Sequence, residues 1–320
     1  MAVGSMEVTF LGTSAANAYP EAFCRCANCT RARELGGPSL RKRSALLVND
    51  DLLIDLGPDA QTAAQMHGRP LTTVRYCLQT HAHSDHLDAS HLLSRSPGWG
   101  VVGASRLHFY ASWGTLRAAA HVLERDLAPA GLLAPETSEF LNLELHPVEA
   151  LQTFAAGPYQ VTAFAANHDP MVEPLLYAVQ RGEHSFFYGT DTAALPEEFW
   201  QALHRHGFGF DLAIWDHTYG PEEEERDHLS AHEVMAYAAR MREEGLLAER
   251  GRVLATHIAH EGNPAHPELD AFAAQHGYEV AYDGMIVCLN EVGGGGGSAR
   301  NQELAGEAFA QQDRRDSTCR

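Results

Sequence analysis

Short apolar runs, several alternating with polar residues, recur along the whole chain and set its predicted elements. First strands are expected at Glu7–Leu11, Ala45–Val48 and Leu52–Ile54, with Asn49-Asp50-Asp51 turning between the last two. Further strands are read at Tyr76–Leu78, Arg106–Tyr110, Leu141–Leu145, Tyr159–Ala165, Ser185–Tyr188 and Arg252–Ala255. Helical spacing is read over Pro58–Met66, Asp85–Leu93, Thr115–Arg125, Pro196–His206, Ser230–Arg242 and Pro267–His276. Ser230 and Glu233 are spaced as a capping box, and Asp85 is expected near a helix N-terminus, where the dipole favours a carboxylate. No repeat stands out. Strands flanked by helices in both halves fit an α/β fold, an αββα sandwich.

Composition narrows the class. A chain of 320 residues, 45% of them hydrophobic, can bury a full core. No apolar run approaches bilayer length, so no membrane association is expected. A net charge of −19 argues against non-specific nucleic-acid binding, which needs basic patches. Glu222 to Glu225 reads as a solvated loop. Residues 1–5 precede a second methionine, Met6, and read as a remnant, so the fold is expected over 6–290. Residues 291–320 read as a glycine-rich linker and disordered tail, with no catalytic role for Cys319. No secretory signal is visible, and a reducing, cytoplasmic compartment is expected. A homodimer is left open.

Candidate chemistry starts directly after Tyr76–Leu78. His81, His83, Asp85 and His86 place four metal-ligand side chains within six residues. Imidazole suits zinc and similar ions and carboxylate suits harder ones, so a mixed cluster points to a catalytic metal. Downstream, His168, Asp191 and His257 each sit just past a β-like apolar segment, where a sheet scaffold presents ligands. A second signature is Cys24-Arg25-Cys26-Ala27-Asn28-Cys29. Three thiolates at this spacing can fold round a structural zinc, with His260 chosen as the fourth ligand because it lies three residues beyond His257. Cys77 and Cys288 read as ordinary buried residues. The aromatics Trp99, Tyr110 and Trp113, with His121, read as core rather than pocket. Arg41, Lys42 and Arg43 read as a basic turn or a phosphate contact and are not taken as site residues.

The spacing of His81, His83, Asp85 and His86, followed by His168, Asp191 and His257, resembles the metallo-β-lactamase superfamily. The resemblance implies the αββα sandwich, with the metal site at one edge of the two sheets. It also implies that His81, His83 and His168 hold one divalent ion, that Asp85, His86 and His257 hold a second, and that Asp191 bridges them. Zinc or manganese is expected, with iron also admitted, besides the structural zinc. An Asp at 191, where many lactam-hydrolysing members carry Cys, argues against lactam hydrolysis. The thiol loop, Thr256 to His260, Asp227-His228-Leu229 and the turn at Tyr282 to Met285 are together similar to the phosphodiesterases of the carbon–phosphorus lyase pathway (PhnP-type).

That similarity implies hydrolysis of a small phosphodiester, cyclic and ribosyl-type, through a dimetal-bridged hydroxide. His228 is then the general acid, and Asp85 counts with the catalytic residues as well as the ligands. From residue type alone, His228 reads equally as a surface or capping histidine. Two alternatives stay open: a lactone, thioester or ester hydrolase of the same superfamily, and a non-catalytic PqqB-like binding protein. The long RNA-binding arm of tRNase Z relatives is not evident in the sequence.

Overall fold

Two seven-stranded sheets lie face to face in the computed structural model, which describes residues 5–222 and 227–289. In chain order the strands are β1 Met6–Gly12, β2 Ala45–Val48, β3 Leu52–Ile54, β4 Tyr76–Leu78, β5 Leu107–Ala111, β6 Leu143–Pro147, β7 Thr153–Ala156, β8 Tyr159–Ala165, β9 Leu175–Arg181, β10 His184–Gly189, β11 Phe210–Asp216, β12 Leu247–Thr256, β13 Glu279–Val280 and β14 Ile286–Leu289. The helices are α1 Ala27–Leu35, α2 Ala60–Met66, α3 Ser90–Ser94, α4 Trp113–Val122, α5 Pro135–Leu141, α6 Glu197–His206, α7 Ala231–Glu243 and α8 His266–Gln275. The first sheet runs β14-β1-β2-β3-β4-β5-β6 and the second β13-β12-β11-β10-β9-β8-β7. Residues 1–4, most of the acidic run (Glu223–Glu225) and the tail from 290 lie outside the described residues. Among the described residues, no helix is long and apolar enough to cross a membrane.

The period-2 alternation of the strands builds the layers. On β10, Phe186 and Tyr188 point into the core between the sheets, beside Val8, Phe10, Leu46 and Ile54 of the first sheet. Phe187, between them, faces the other way into a layer with Trp200, Leu203, Val234 and Met241 of α6 and α7. A strand covered on both faces reads as a continuous apolar run. On the far side, α2, α3 and α4 pack Ala63, Leu92 and Leu116 against Leu47, Leu53 and Phe109. The result is four layers, αββα. The helix α6 starts with Glu197 and Glu198, ends with His204, Arg205 and His206, and stops at Gly207, whose φ of 68° suits glycine. The capping box of Ser230 with Glu233 forms as expected.

Several sequence expectations need correction. Residues 84–88 form turns, and α3 begins only at Ser90, so Asp85 stands in a loop and not at a helix N-terminus. Polar ligands crowd this segment and leave it no apolar face until Leu92. Cys77 is buried, but Cys288 is exposed on the border strand β14, which has a neighbour on one side only. Trp99, Trp113 and His121 are exposed, and only Tyr110 joins the core. The basic turn splits. Arg41 is buried and binds Thr13 and the Ala281 carbonyl, while Lys42 pairs with Asp283 and Arg43 with Asp59.

Candidate metal centre

The site is built from the C-terminal ends of strands in both sheets. β3 ends at Asp55, β4 leads into His81 to His86, and β8 into His168. Then β10 leads into Asp191, β11 ends at Asp216, and β12 leads into His257. β3 and β4 are parallel, as are β10, β11 and β12, so these loops open on one edge. Asp55, Asp191 and His257 all adopt positive φ (66°, 52° and 59°), a conformation that costs a non-glycine residue about 1 kcal/mol or more. Buried hydrogen bonds hold that strain, among them the Asp191 amide donating to Asp216 Oδ2 at 3.0 Å.

The seven residues read as ligands converge in two groups that share Asp191. His81, His83, His168 and Asp191 bring one ligand atom each within 4.8 Å of one another, and so do Asp85, His86, Asp191 and His257. His168 Nε2 lies 3.1 Å from His83 Nδ1. Asp191 Oδ2 lies 3.0 Å from His81 Nε2 and 2.8 Å from His86 Nε2, while its Oδ1 lies 2.9 Å from His257 Nε2. Asp85 Oδ2 is 3.2 Å from His86 Nε2.

The donor set fits metal ions. Buried His81 Nε2 and Asp191 Oδ1 have no hydrogen-bond partner, and His86 Nε2 faces His257 Nε2 at 3.2 Å. Burial disfavours charge on His86 and His257, yet Asp191, together with Asp85, raises both, His257 to about 10. Burial pulls His81, beside His86, down to about 4. Carboxylates that hold protons on buried imidazoles mark a place short of positive charge, which bound cations would supply.

Two residues that the sequence reading passed over fix the rings. Asp55 Oδ2 lies 2.7 Å from His86 Nδ1, while its Oδ1 accepts from the Thr80 amide and hydroxyl at 2.8 Å each. Thr80 Oγ1 in turn lies 3.0 Å from His81 Nδ1. Asp216 repeats the pattern, its Oδ1 accepting from the Thr218 amide and hydroxyl at 2.8 Å each. Thr218 Oγ1 lies 2.8 Å from His257 Nδ1. These contacts put the proton on each Nδ1 and leave each Nε2 lone pair turned to the site. The available signal was an Asp closing a buried apolar strand, as in Ile54-Asp55 and Trp215-Asp216.

His228 stands at the rim. Its Nδ1 is 2.9 Å from Asp216 Oδ2 and 3.3 Å from Asp191 Oδ1, and its ring stacks on His257 at 5.4 Å. Burial opposes its charged form, but Asp216 and then Asp191 raise it above the ordinary histidine value. A cleft of about 600 Å³ opens over the site, bordered by Ala16, Asn17, Tyr219, Asp227, His228 and Glu261.

Cys24, Cys26, Cys29 and His260 form a separate group, each with a ligand atom within 4.8 Å of the others. His260 Nδ1 is 3.6 Å from Cys26 Sγ and 3.9 Å from Cys24 Sγ. Bonds of ~2.3 Å to sulfur and ~2.0–2.1 Å to nitrogen at tetrahedral angles imply an S···N edge of about 3.5 Å, so the set suits zinc. Burial opposes the Cys26 thiolate, but the Cys29 amide and His260 lower its pKa to about 7. Asn28 Nδ2 donates to the His260 carbonyl at 2.8 Å and ties the loop to the segment after His257.

Comparison with known proteins agrees with this architecture. A family model described as the beta-lactamase superfamily domain matches residues 51–258. No curated protein sequence matches. Among solved structures, the chain is similar to a diphosphatase of the PhnP family (21% identity, TM-score 0.67, covering 89% of this chain and 97% of that one). It is also similar to zinc-bound PqqB from Methylobacterium extorquens (19%, 0.61, 88% and 99%). A third is the short form of human tRNase Z (18%, 0.57, 88% and 98%). These identities speak for the fold alone, whereas the family model spans well over half of the chain. The chain belongs to the beta-lactamase superfamily: its fold is the metallo-β-lactamase sandwich and its class that of a metal-dependent hydrolase.

Proposed function

We propose that this protein is a dinuclear metal-dependent phosphodiesterase acting on a small, cyclic, ribosyl-type phosphodiester. His81, His83 and His168 would hold one ion and Asp85, His86 and His257 the other, with Asp191 between them. Such a pair lowers the pKa of bound water and stabilises charge on phosphoryl oxygens.

One observation carries the reading: His228, on the rim of the cleft, is flanked by two buried carboxylates that keep its proton on. An alkoxide is a poor leaving group and needs that proton, whereas acyl transfer to a thiolate does not. The cleft supports the same substrate class. Among its described lining residues there is no Lys or Arg, and Asp227 and Glu261 add negative charge. A singly charged diester fits such a rim better than a multiply charged phosphate. Asn17, Tyr219, Asp227 and Glu261 suit a ligand that carries hydroxyls. A volume near 600 Å³ matches a small molecule.

The test is leaving-group dependence. His228→Ala should keep both ions and lose about 10²–10⁴-fold in kcat on alkyl or cyclic diesters. The loss should be much smaller on p-nitrophenyl esters, whose leaving group needs no proton. Equal losses on both would remove His228 from the acid role.

A further inference from the structure

A third cluster of ligand side chains lies away from both sites, on the edge of the first sheet. β5 and β6 run parallel, with His108 opposite Glu144 and Tyr110 opposite His146. Side chains two apart share a face, so His108, Glu144 and His146 stand together on the side where Tyr110 meets Phe154 of β7. His108 Nδ1 is 3.1 Å from His146 Nε2. Glu144 Oε2 is 3.5 Å from the first nitrogen, and its Oε1 is 3.6 Å from the second.

These separations are those of ligands round one ion. Bonds of ~2.0–2.2 Å to nitrogen and oxygen at tetrahedral angles put neighbouring ligand atoms about 3.3–3.6 Å apart. The rings are held in place before any ion arrives. Tyr110 stacks on His146 at 4.4 Å and 13°, and Tyr76 stacks on His108 at 5.6 Å and 28°. The side chains are 30–45% exposed, so the group is reachable. Arg106 Nε also lies 3.5 Å from Glu144 Oε2, but Arg106 reaches Glu139 as well, and exposed pairs of this kind contribute about 0–1 kcal/mol. The proposed hydrolytic centre makes no use of the cluster. His108 pairs with Tyr76 at the start of β4, whereas His81 follows the other end of that strand.

We propose that His108, Glu144 and His146 form a further metal site, taking a divalent transition ion such as zinc through three protein ligands with a position left open to solvent. Two imidazoles select zinc, nickel or copper over magnesium or calcium. An ion there ties the edge strand β6 to β5 through side chains as well as through the backbone ladder.

The experiment is zinc titration of the full chain already loaded at the other sites, in excess magnesium, with crystals grown at saturating zinc. The wild type should take up one further zinc, with an anomalous peak between the three side chains. His146→Ala and Glu144→Gln should each weaken that uptake at least ~10-fold while keeping the other ions and the hydrolytic activity. His108→Ala provides a third variant should one of these misfold, with circular dichroism as the check. Identical zinc uptake in wild type and folded variants, or no peak at the cluster at saturating zinc, would overturn the assignment.

Discussion

Asp55 and Asp216 hold equivalent positions on the two sheets. Each closes a buried strand, each binds the amide and hydroxyl of a threonine through Oδ1, and each holds a histidine Nδ1 through Oδ2. The histidines differ: His86 is a ligand candidate, whereas His228 faces the cleft. Replacing either carboxylate by an amide turns an NH₂ group against an Nδ1–H, so the two variants should fail differently. Asp55→Asn should weaken metal binding by about 10–100-fold. Asp216→Asn should mainly lower kcat on alkyl diesters, within the ~10²–10⁴-fold that general acid help supplies, with metal content largely kept. Metal analysis beside kinetics separates these outcomes; a common defect in both variants would contradict the division of labour.

The thiol group should act on stability before activity. Cys26→Ser should release the loop zinc while the active-site ions stay bound. If the zinc contributes ~2 kcal/mol, Tm should fall by roughly 4–8 °C. A smaller loss of activity should accompany it, because His260 and His257 lie on one segment and Asn28 anchors it. A variant with parent-like Tm and zinc content would remove the structural role.

Acid should destabilise the fold through His217. This ring is fully buried, with Nδ1 2.9 Å from Asn263 Oδ1 and Nε2 2.9 Å from Tyr278 Oη, and burial brings its pKa down to about 4. The unfolded chain takes up a proton near 6.5 that the folded chain refuses. The contribution is therefore complete above pH 6.5 and is lost as pH falls toward 4, by at most about 3 kcal/mol. Urea unfolding between pH 7.5 and 4.5 should show this fall, and His217→Gln should narrow its gap to the wild type as pH drops. A gap that stays constant with pH would exclude His217 as the titrating group.

Much of this was legible in the sequence because strands and ligands leave local marks. The apolar runs ending at Leu78, Tyr188 and Ala255 are strands, and the residues just past them, His81, Asp191 and His257, do meet in space. His260 also reaches the thiols. What stayed hidden depends on partners distant in the chain. Asp55 resembles any turn residue until Thr80 and His86 fold over it, and Asp216 until His228 does. Arg41 looks like a surface cation, yet Thr13 and Ala281 enclose it. The turns at 84–88 break what reads as a helical pattern, because ligand convergence outweighs local propensity there.

The central claim rests on substrate class, and one comparison tests it most directly: turnover by the metal-loaded protein of a five-membered cyclic ribosyl phosphodiester, with bis(p-nitrophenyl) phosphate, a lactone and a thioester measured beside it. Both phosphodiesters should be hydrolysed, with activity lost on chelation and restored by added divalent metal, and the lactone and thioester should turn over far more slowly. No hydrolysis of either phosphodiester, alongside rapid lactone or thioester turnover, would contradict the account.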